Sequence, residues 1–200
     1  RKAKPAWETV LDIDALGKAE GKDWVYQGSQ PLAPEYRYCL MQLSPDGGDA
    51  TEIREFDLVA KRFVKDGFNV PVAKSRVSWV DRDTLFIATD FGPGSMTQSG
   101  YARIAKRWRR GTPLSAAETL YEAQPEDMAV FAYHDRTPGF ERDFVGRSLD
   151  FYRRDYFLLA QDGRQIKIDI PADAELDTHR EWLLIKPSSD WEVGGKRYPS

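Results

Sequence analysis

The sequence predicts an all-β protein, and two observations carry that prediction. Hydrophobic and polar residues alternate over short runs from about Trp24 onward, as expected for strands with one buried face. Clusters of Gly, Pro, Asp and Ser interrupt these runs at short intervals, and such residues favour the tight turns that join strands. The exception is a short helix near the start, over Ala15–Glu20, which we expect Asp14 to cap and Gly21 to stop.

The first predicted hairpin joins a strand at Tyr38–Leu43 to a strand at Thr51–Leu58. The segment between them contains Ser44–Gly48, which has turn chemistry because Pro fixes φ and Gly accepts a positive φ. Four further strands follow and form one antiparallel set: Ser75–Val80, Thr84–Thr89, Arg103–Arg109 and Glu118–Glu122.

A second antiparallel set of four strands comes next: Met128–Tyr133, Phe144–Tyr152, Tyr156–Leu159 and Gln165–Ile170. In its last strand Ile166, Ile168 and Ile170 alternate with polar residues. That pattern predicts one buried and one solvated face. A further repeat begins at Arg180–Ile185 and includes a hairpin at Val193–Lys196.

Four-stranded antiparallel sheets that recur about every 45 to 50 residues are typical of propeller blades, with a β-sandwich as the competing architecture. The 200 residues therefore predict an incomplete β-propeller of about four four-stranded antiparallel blades. The predicted divisions are a lead-in strand and short helix (1–23), three blades (24–73, 74–124 and 125–174) and the start of a fourth (175–200).

Composition excludes several classes of protein. The 29 Lys and Arg nearly balance the 32 Asp and Glu. The sequence therefore offers no excess of positive charge that would attract nucleic acid or an anionic membrane. The single cysteine, Cys39, allows neither an internal disulfide nor a metal site of several thiolates. No apolar run approaches the roughly 18 residues of a membrane span.

The opening residues Arg1–Lys4 lack an initiator Met, so we expect a chain processed or cut from something longer. We expect a cytoplasmic location, with the periplasm open as an alternative because a signal would precede Arg1.

Only His134 and His179 could act as a catalytic base. His134 precedes Asp135 on a predicted strand, where neighbours point to opposite faces, so a direct pair between these two is not expected. Both histidines are interpreted as turn or edge residues. Two histidines fall short of a zinc site unless carboxylates complete it, and no ligand spacing indicates such a site. The sequence therefore predicts no catalytic, cofactor-binding or metal-binding residues.

The basic run Lys106, Arg107, Arg109 and Arg110 around Trp108 is interpreted as a salt-bridged strand rather than a nucleic-acid patch. The segment Phe91–Ser95 is interpreted as a connection between strands. A phosphate cradle needs backbone N–H groups that lead into a helix, and Pro93 lacks one.

Cys39 is expected to be a small buried hydrophobe. Three tryptophans on predicted strands are expected to pack between adjacent blades: Trp79, Trp108 and Trp182.

Four stretches carry a family resemblance: Trp7–Leu16, Ser75–Trp79, Thr89–Ser95 and Lys106–Leu114. They resemble the N-terminal propeller domain of the prolyl oligopeptidase family of serine peptidases, and the similarity extends from Lys4 to Pro199. The resemblance implies a seven-bladed propeller that caps an α/β-hydrolase domain and admits short peptides to a buried Ser-His-Asp triad. It implies no cofactor. Some members also place an aromatic residue before the Trp-bearing strand of the second blade, where this sequence has Lys74–Arg76.

In the family the nucleophile lies in a Gly-x-Ser-x-Gly turn. Neither Gly92–Met96 nor Gly146–Ser148 has that spacing, and the C-terminal His of the family is absent. The resemblance therefore implies roughly the first half of a propeller, inactive alone, that gates access to a hydrolase domain of the same parent peptidase. Its partners would be that domain and the peptide substrate.

An alternative function is a stand-alone β-domain that binds a protein or peptide partner. Under the incomplete-propeller hypothesis, blade faces without neighbours expose apolar surface and unpaired edges. We therefore expect the isolated chain to associate with itself.

Overall fold

The computed structural model describes residues 6–200, which fall into two units that divide between Ala73 and Lys74. The first five residues, including the opening Arg1–Lys4 and part of the predicted lead-in segment, lie outside the described residues.

The first unit begins with helix α1, Ile13–Glu20. Its N-cap is Asp12, whose Oδ1 accepts the Ala15 N–H at 2.9 Å, so the predicted cap at Asp14 is wrong. Asp12 has the extended backbone that a cap requires, whereas Asp14 already lies in the first turn, where its charge favours the helix dipole. Gly21 ends the helix with a φ of 65°, as predicted.

The sheet of the first unit contains five strands: β1 (Val25–Pro31), β2 (Tyr38–Ser44), β3 (Thr51–Asp57), β4 (Arg62–Phe63) and β5 (Asn69–Ala73). The predicted hairpin is confirmed, since β2 and β3 pair antiparallel. Strands β4 and β5 both pair with the outer edge of β3, at its opposite ends. They share one position, so the sheet has four strand positions.

The second unit begins with a four-stranded sheet in chain order: β6 (Arg76–Asp81), β7 (Thr84–Ala88), β8 (Ile104–Arg109) and β9 (Glu118–Glu122). A short 3₁₀ turn, Leu114–Ala116, lies between β8 and β9. The antiparallel set predicted for this region is confirmed.

The next sheet is also four-stranded and in chain order: β10 (Ala129–Asp135), β11 (Arg142–Ser148), β12 (Arg154–Leu159) and β13 (Gln165–Lys167). Strand β11 ends at Ser148, four residues before the predicted end, because Asp150 accepts backbone N–H groups and forms a turn. The predicted buried face of the last strand is also wrong: β13 stops at Lys167, and Ile166 is 44% exposed. Strand β13 is an edge strand and pairs only with β12, so its side chains have fewer neighbouring strands to pack against.

Two hairpins complete the described chain: β14 (Glu175–His179) with β15 (Trp182–Lys186), and β16 (Trp191–Val193) with β17 (Lys196–Tyr198). The predicted turn at Val193–Lys196 is confirmed, and both of its glycines have positive φ. The all-β class and its antiparallel sheets are therefore confirmed, while the blade boundaries stay a prediction.

Within the second unit, β10 packs against the β6–β9 sheet. Small side chains dominate the core between the two sheets, whose buried members are Phe86, Ala88, Ala102, Ala105, Ala123, Val130, Ala132 and Val145. The N–H of Val130 also donates to the carbonyl of Ala102 at 3.0 Å. Alanines let the backbones of two sheets approach closely, and dense packing makes such a contact stiff.

Candidate functional site

The most chemically complete cluster in the second unit centres on His134 of β10. Its Nδ1 lies 2.7 Å from Oδ1 of Asp143, which stands directly opposite on β11. The side chains are 16% and 22% exposed, respectively. Sequence reasoning tested only the neighbour Asp135 and so missed this partner. The signal was the register of the hairpin, which places residues 134 and 143 at equal distances from its turn.

Arg107 extends this cluster between two sheets. From β8, its Nη2 lies 3.6 Å from Oδ2 of Asp143 and its Nη1 lies 3.5 Å from Oε2 of Glu118. The guanidinium also lies over the ring of Phe86, 5.6 Å from its centroid. Arg107 is therefore an ionic link between the β6–β9 sheet and the β10–β13 sheet.

The cluster lies in a groove of about 780 Å³ between these two sheets. An aspartate on Nδ1 orients an imidazole as in hydrolytic triads, but nucleophilic catalysis also needs a hydroxyl or thiol within reach of the base. Among the residues that line the groove, only Thr119 carries a hydroxyl and none carries a thiol. The groove has the composition of a polar contact between sheets, not of a complete hydrolytic centre.

A buried carboxylate lies at the end of β10 near this groove. Burial acts to raise the pKa of Asp135, but hydrogen bonds from Thr137, Arg142 and Thr178 outweigh it and lower the pKa to about 2. The Nη2 of Arg142 donates to Asp135 at 2.8 Å and to the carbonyl of Arg180 at 2.6 Å. Asp135 and Arg142 thereby connect the β10–β13 sheet to the β14–β15 hairpin.

His179, the second candidate base, ends β14 and is exposed, and it pairs with Trp182 across the hairpin. Within residues 6–200, no group of three or more His, Cys, Asp or Glu side chains is placed to hold a metal ion. No helix in the same range is both long and apolar enough to span a bilayer.

The interpretation of the basic run as a salt-bridged strand is confirmed. Arg107 pairs with two carboxylates, and Nε of Arg110 donates to Oδ1 of Asp83 at 2.8 Å. The Nζ of Lys106 lies 4.5 Å from the ring centroid of Phe91.

The segment Phe91–Ser95 lies in the connection between β7 and β8, as predicted, and it forms a turn with its own hydrogen bonds. The N–H of Phe91 donates to Oγ of Ser95 at 2.8 Å, and the N–H of Gly92 donates to Oδ1 of Asp90 at 2.8 Å. These N–H groups already have partners, so the loop does not form a phosphate cradle. In the nearby Lys74–Arg76 stretch, Ser75 and Thr89 are joined by a 2.6 Å hydrogen bond between their hydroxyls.

Cys39 is fully buried, and burial raises the pKa of its thiol to about 11, which confirms it as a small apolar residue. Trp79 and Trp108 are buried, at 2% and 7% exposure, and their packing between adjacent blades stays a prediction. The prediction for Trp182 is wrong: this side chain is 62% exposed. Strand β15 pairs only with β14 among the described strands, so no further strand covers it.

These features define a class of protein: antiparallel sheets whose strands are adjacent in the chain, joined by small apolar side chains and by ion pairs. The family model described as "Prolyl oligopeptidase, N-terminal beta-propeller domain" matches residues 1–137. The chain belongs to this family, and the resemblance drawn from the sequence is confirmed.

Two curated relatives are uncharacterized peptidases. That of Sinorhizobium fredii is 35% identical over 201 residues, which is 96% of this chain and 27% of the relative. That of Rickettsia prowazekii is 29% identical over 205 residues, which is 96% of this chain and 28% of the relative.

Solved structures agree with this assignment. A post-proline cleaving enzyme from Rickettsia typhi matches with a TM-score of 0.90 at 28% identity, over 100% of this chain and 31% of that one. Oligopeptidase B from Leishmania major shares the fold, with a TM-score of 0.64 at 16% identity over 93% of this chain and 25% of that one. The chain spans less than a third of the length of these relatives.

Proposed function

We propose that this chain is the propeller portion of a prolyl oligopeptidase-like serine peptidase, and that it gates the access of short peptides to a hydrolase domain in the same parent chain. The family match and the two peptidase relatives support the parent class. The similarity to a post-proline cleaving enzyme supports cleavage beside proline as the parent activity.

The observation that carries the gating role is the contact between the two four-stranded sheets of the second unit. Alanines form most of their buried interface, and Arg107 adds an ionic link to Asp143. A contact this dense does not open without a large cost, because protein interiors are packed like crystals. If the two sheets stay in contact, a long or folded polypeptide cannot pass between them, and substrates are selected by size.

The same structure supports a non-catalytic role for the chain alone. The His134–Asp143 pair has no serine or cysteine among the residues that line its groove, and the Gly-x-Ser-x-Gly motif is absent from the sequence. The purified chain should therefore not hydrolyse a fluorogenic proline-containing peptide. Turnover that persists through further purification would contradict this part of the proposal.

The gating role is tested in the full-length parent peptidase with two substrates: a short blocked proline-containing peptide and an unfolded polypeptide many times longer that contains the same sequence. Ala105→Val adds volume to the fully buried contact between the sheets. We expect it to loosen the contact and raise kcat/KM for the long substrate relative to the short one. Ala116→Val, in the exposed 3₁₀ turn, is the matched control and should leave the ratio unchanged.

Circular dichroism and thermal unfolding establish first that the Ala105→Val enzyme is folded. The gating role is refuted if the unaltered enzyme cleaves both substrates with equal kcat/KM, or if the ratio stays constant in a folded, measurably destabilised Ala105→Val enzyme.

A further inference from the structure

Two aromatic side chains project into solvent from the turn between β11 and β12. Phe151 is 81% exposed and Tyr152 is 87% exposed. The prediction for this region placed both residues in a strand, so their position at a turn is new information. Two adjacent exposed rings form a small apolar surface, and whether it can bind a ligand depends on the groups around it.

The turn that presents these rings is held by its own hydrogen bonds. Oδ1 of Asp150 accepts the N–H groups of Tyr152 and Arg153 at 2.9 and 2.8 Å. The Nε of Arg153 donates to Oδ2 of Asp150 at 2.7 Å, and the N–H of Leu149 donates to the carbonyl of Arg153 at 2.9 Å. The backbone is therefore ordered before any ligand arrives, which lowers the entropic cost of binding.

A small concavity of about 290 Å³ lies beside the two rings, just below the roughly 300–1,000 Å³ range of ligand pockets. We call it the turn pocket, and its lining residues are Phe151, Tyr152, Arg154, Tyr156, Ala172, Asp173, Ala174, Glu175 and Ser188.

Arg154 supplies a hydrogen-bond donor in the turn pocket. Its Nε donates to Oγ of Ser148 at 3.1 Å, its Nη1 donates to the hydroxyl of Tyr156 at 3.3 Å, and its guanidinium lies 5.0 Å from the ring centroid of Phe131. Among residues 6–200 it has no ion pair with a carboxylate. Its position is fixed by neutral groups, and its charge is not neutralised by a carboxylate partner.

Acidic side chains also line the turn pocket. Oε2 of Glu175 lies 3.4 Å from Nζ of Lys186. Asp173 is half-buried and makes no ion pair within the described part of the chain. The pocket thus combines a cationic donor, an anionic acceptor and two aromatic rings.

That combination fits an extended peptide better than a simple ion. A peptide segment offers a carbonyl acceptor and an N–H donor at neighbouring positions, together with an apolar side chain that can pack on aromatic rings. Phosphate groups fit poorly, because the carboxylates of Asp173 and Glu175 would repel them.

We infer that the turn pocket binds a segment of an extended peptide that carries an aromatic side chain. The side chain packs on Phe151 and Tyr152, a backbone carbonyl accepts from Arg154, and a backbone N–H donates to Asp173. The inference rests on the proposed function and adds to it a residue preference and the side chains that impose it.

The test titrates the 200-residue chain with a fluorescein-labelled, otherwise blocked Ala-rich peptide that contains one Phe, and measures fluorescence anisotropy. The same peptide with Ser in place of Phe is the comparison ligand. We expect saturable binding of the Phe peptide and binding of the Ser peptide weaker by about fivefold to tenfold, as for truncation of an aromatic contact. Absence of saturable binding, or equal affinity for the two peptides, would overturn the inference.

Variants locate the binding. The double variant Phe151→Ala/Tyr152→Ala should remove the preference for the Phe peptide, and Arg154→Gln should weaken both peptides by similar factors. Tyr26→Ala, at a half-exposed tyrosine of the first unit, is the control and should bind like the unaltered chain. Because Arg154 also contacts Phe131, Asp173→Asn is a second polar test that leaves this contact in place. Unchanged affinity in every turn-pocket variant would refute the site.

This experiment measures binding without hydrolysis, so its outcome is separable from that of the gating test. If the parent enzyme does not discriminate substrates by size, the gating role fails, but the anisotropy assay can still show peptide binding at the turn pocket. Conversely, a chain that gates by size but shows no peptide preference would retain the proposed function and lose only this inference.

Discussion

Arg147 holds Asp127 through two hydrogen bonds, from Nε to Oδ2 at 2.8 Å and from Nη2 to Oδ1 at 2.9 Å. Asp127 is buried and lies in the connection from β9 to β10, while Arg147 lies on β11. The pair therefore fixes the segment that leads from one sheet into the next.

Replacement of Arg147 by Lys should destabilise the chain by about 2 kcal/mol, because lysine keeps the charge but loses the two-pronged geometry at a buried carboxylate. Urea unfolding followed by circular dichroism measures the change. Arg153→Lys is the matched control, since its partner Asp150 is on the surface, and it should have little effect. Equal effects of the two substitutions would show that the Arg147 geometry contributes nothing.

Gly146→Ala should destabilise the chain by about 1–3 kcal/mol, as expected for overpacking. A Cβ at this position of β11 would overlap the ring of Phe131, its cross-strand partner. Thermal unfolding of Gly146→Ala, Phe131→Leu and the double variant forms a cycle. The double variant should recover part of the loss, and strictly additive losses would contradict the proposed overlap.

The Glu20 carboxylate should make stability depend on acid pH. Hydrogen bonds from Arg54, aided by one from Trp24, lower its pKa from 4.5 to about 2 despite partial burial. A lowered pKa means that the stabilisation is complete above pH 4.5 and is lost as the pH falls towards 2. Glu20→Gln should therefore be less stable than the unaltered chain at pH 7 and approach it near pH 2.

Urea unfolding at a series of pH values measures this difference, and the indole N–H resonance of Trp24, which donates to Glu20 at 2.8 Å, reports on the same contact. A stability difference that stays constant from pH 7 to pH 2 would exclude Glu20 as the source.

The isolated chain should associate with itself through the β14–β15 hairpin. Trp182 and Leu184 are two positions apart on β15, so their side chains lie on the same face of the hairpin. They are 62% and 51% exposed. Light scattering should detect oligomers at micromolar concentration. The double variant Trp182→Ser/Leu184→Ser should reduce them, while Tyr26→Ser should not. A clean monomer of the unaltered chain would contradict the prediction.

Hairpins were predictable from the sequence because their signals are local. The turns at Ser44–Gly48 and Val193–Lys196 depend on glycine and proline chemistry within a few residues, and both hairpins form. The helix stop at Gly21 belongs to the same group.

Contacts between residues distant in the chain could not be predicted in this way. The His134–Asp143 pair requires the register of a hairpin, and the bond of Arg107 to Asp143 requires knowledge of which sheets adjoin. The exposure of Trp182 and Ile166 likewise depends on what lies beside β15 and β13, not on their own alternating patterns.

The four-stranded sheets of the second unit each follow the order of the chain, and this has a consequence for how the protein is made. Within each of these sheets, every strand after the first pairs with the strand synthesised just before it, and such local pairing favours rapid folding. Each sheet has all its partners as soon as its last strand leaves the ribosome. The β6–β9 sheet can therefore fold before β10 is synthesised. Strand β10 then packs against the preformed sheet as translation continues.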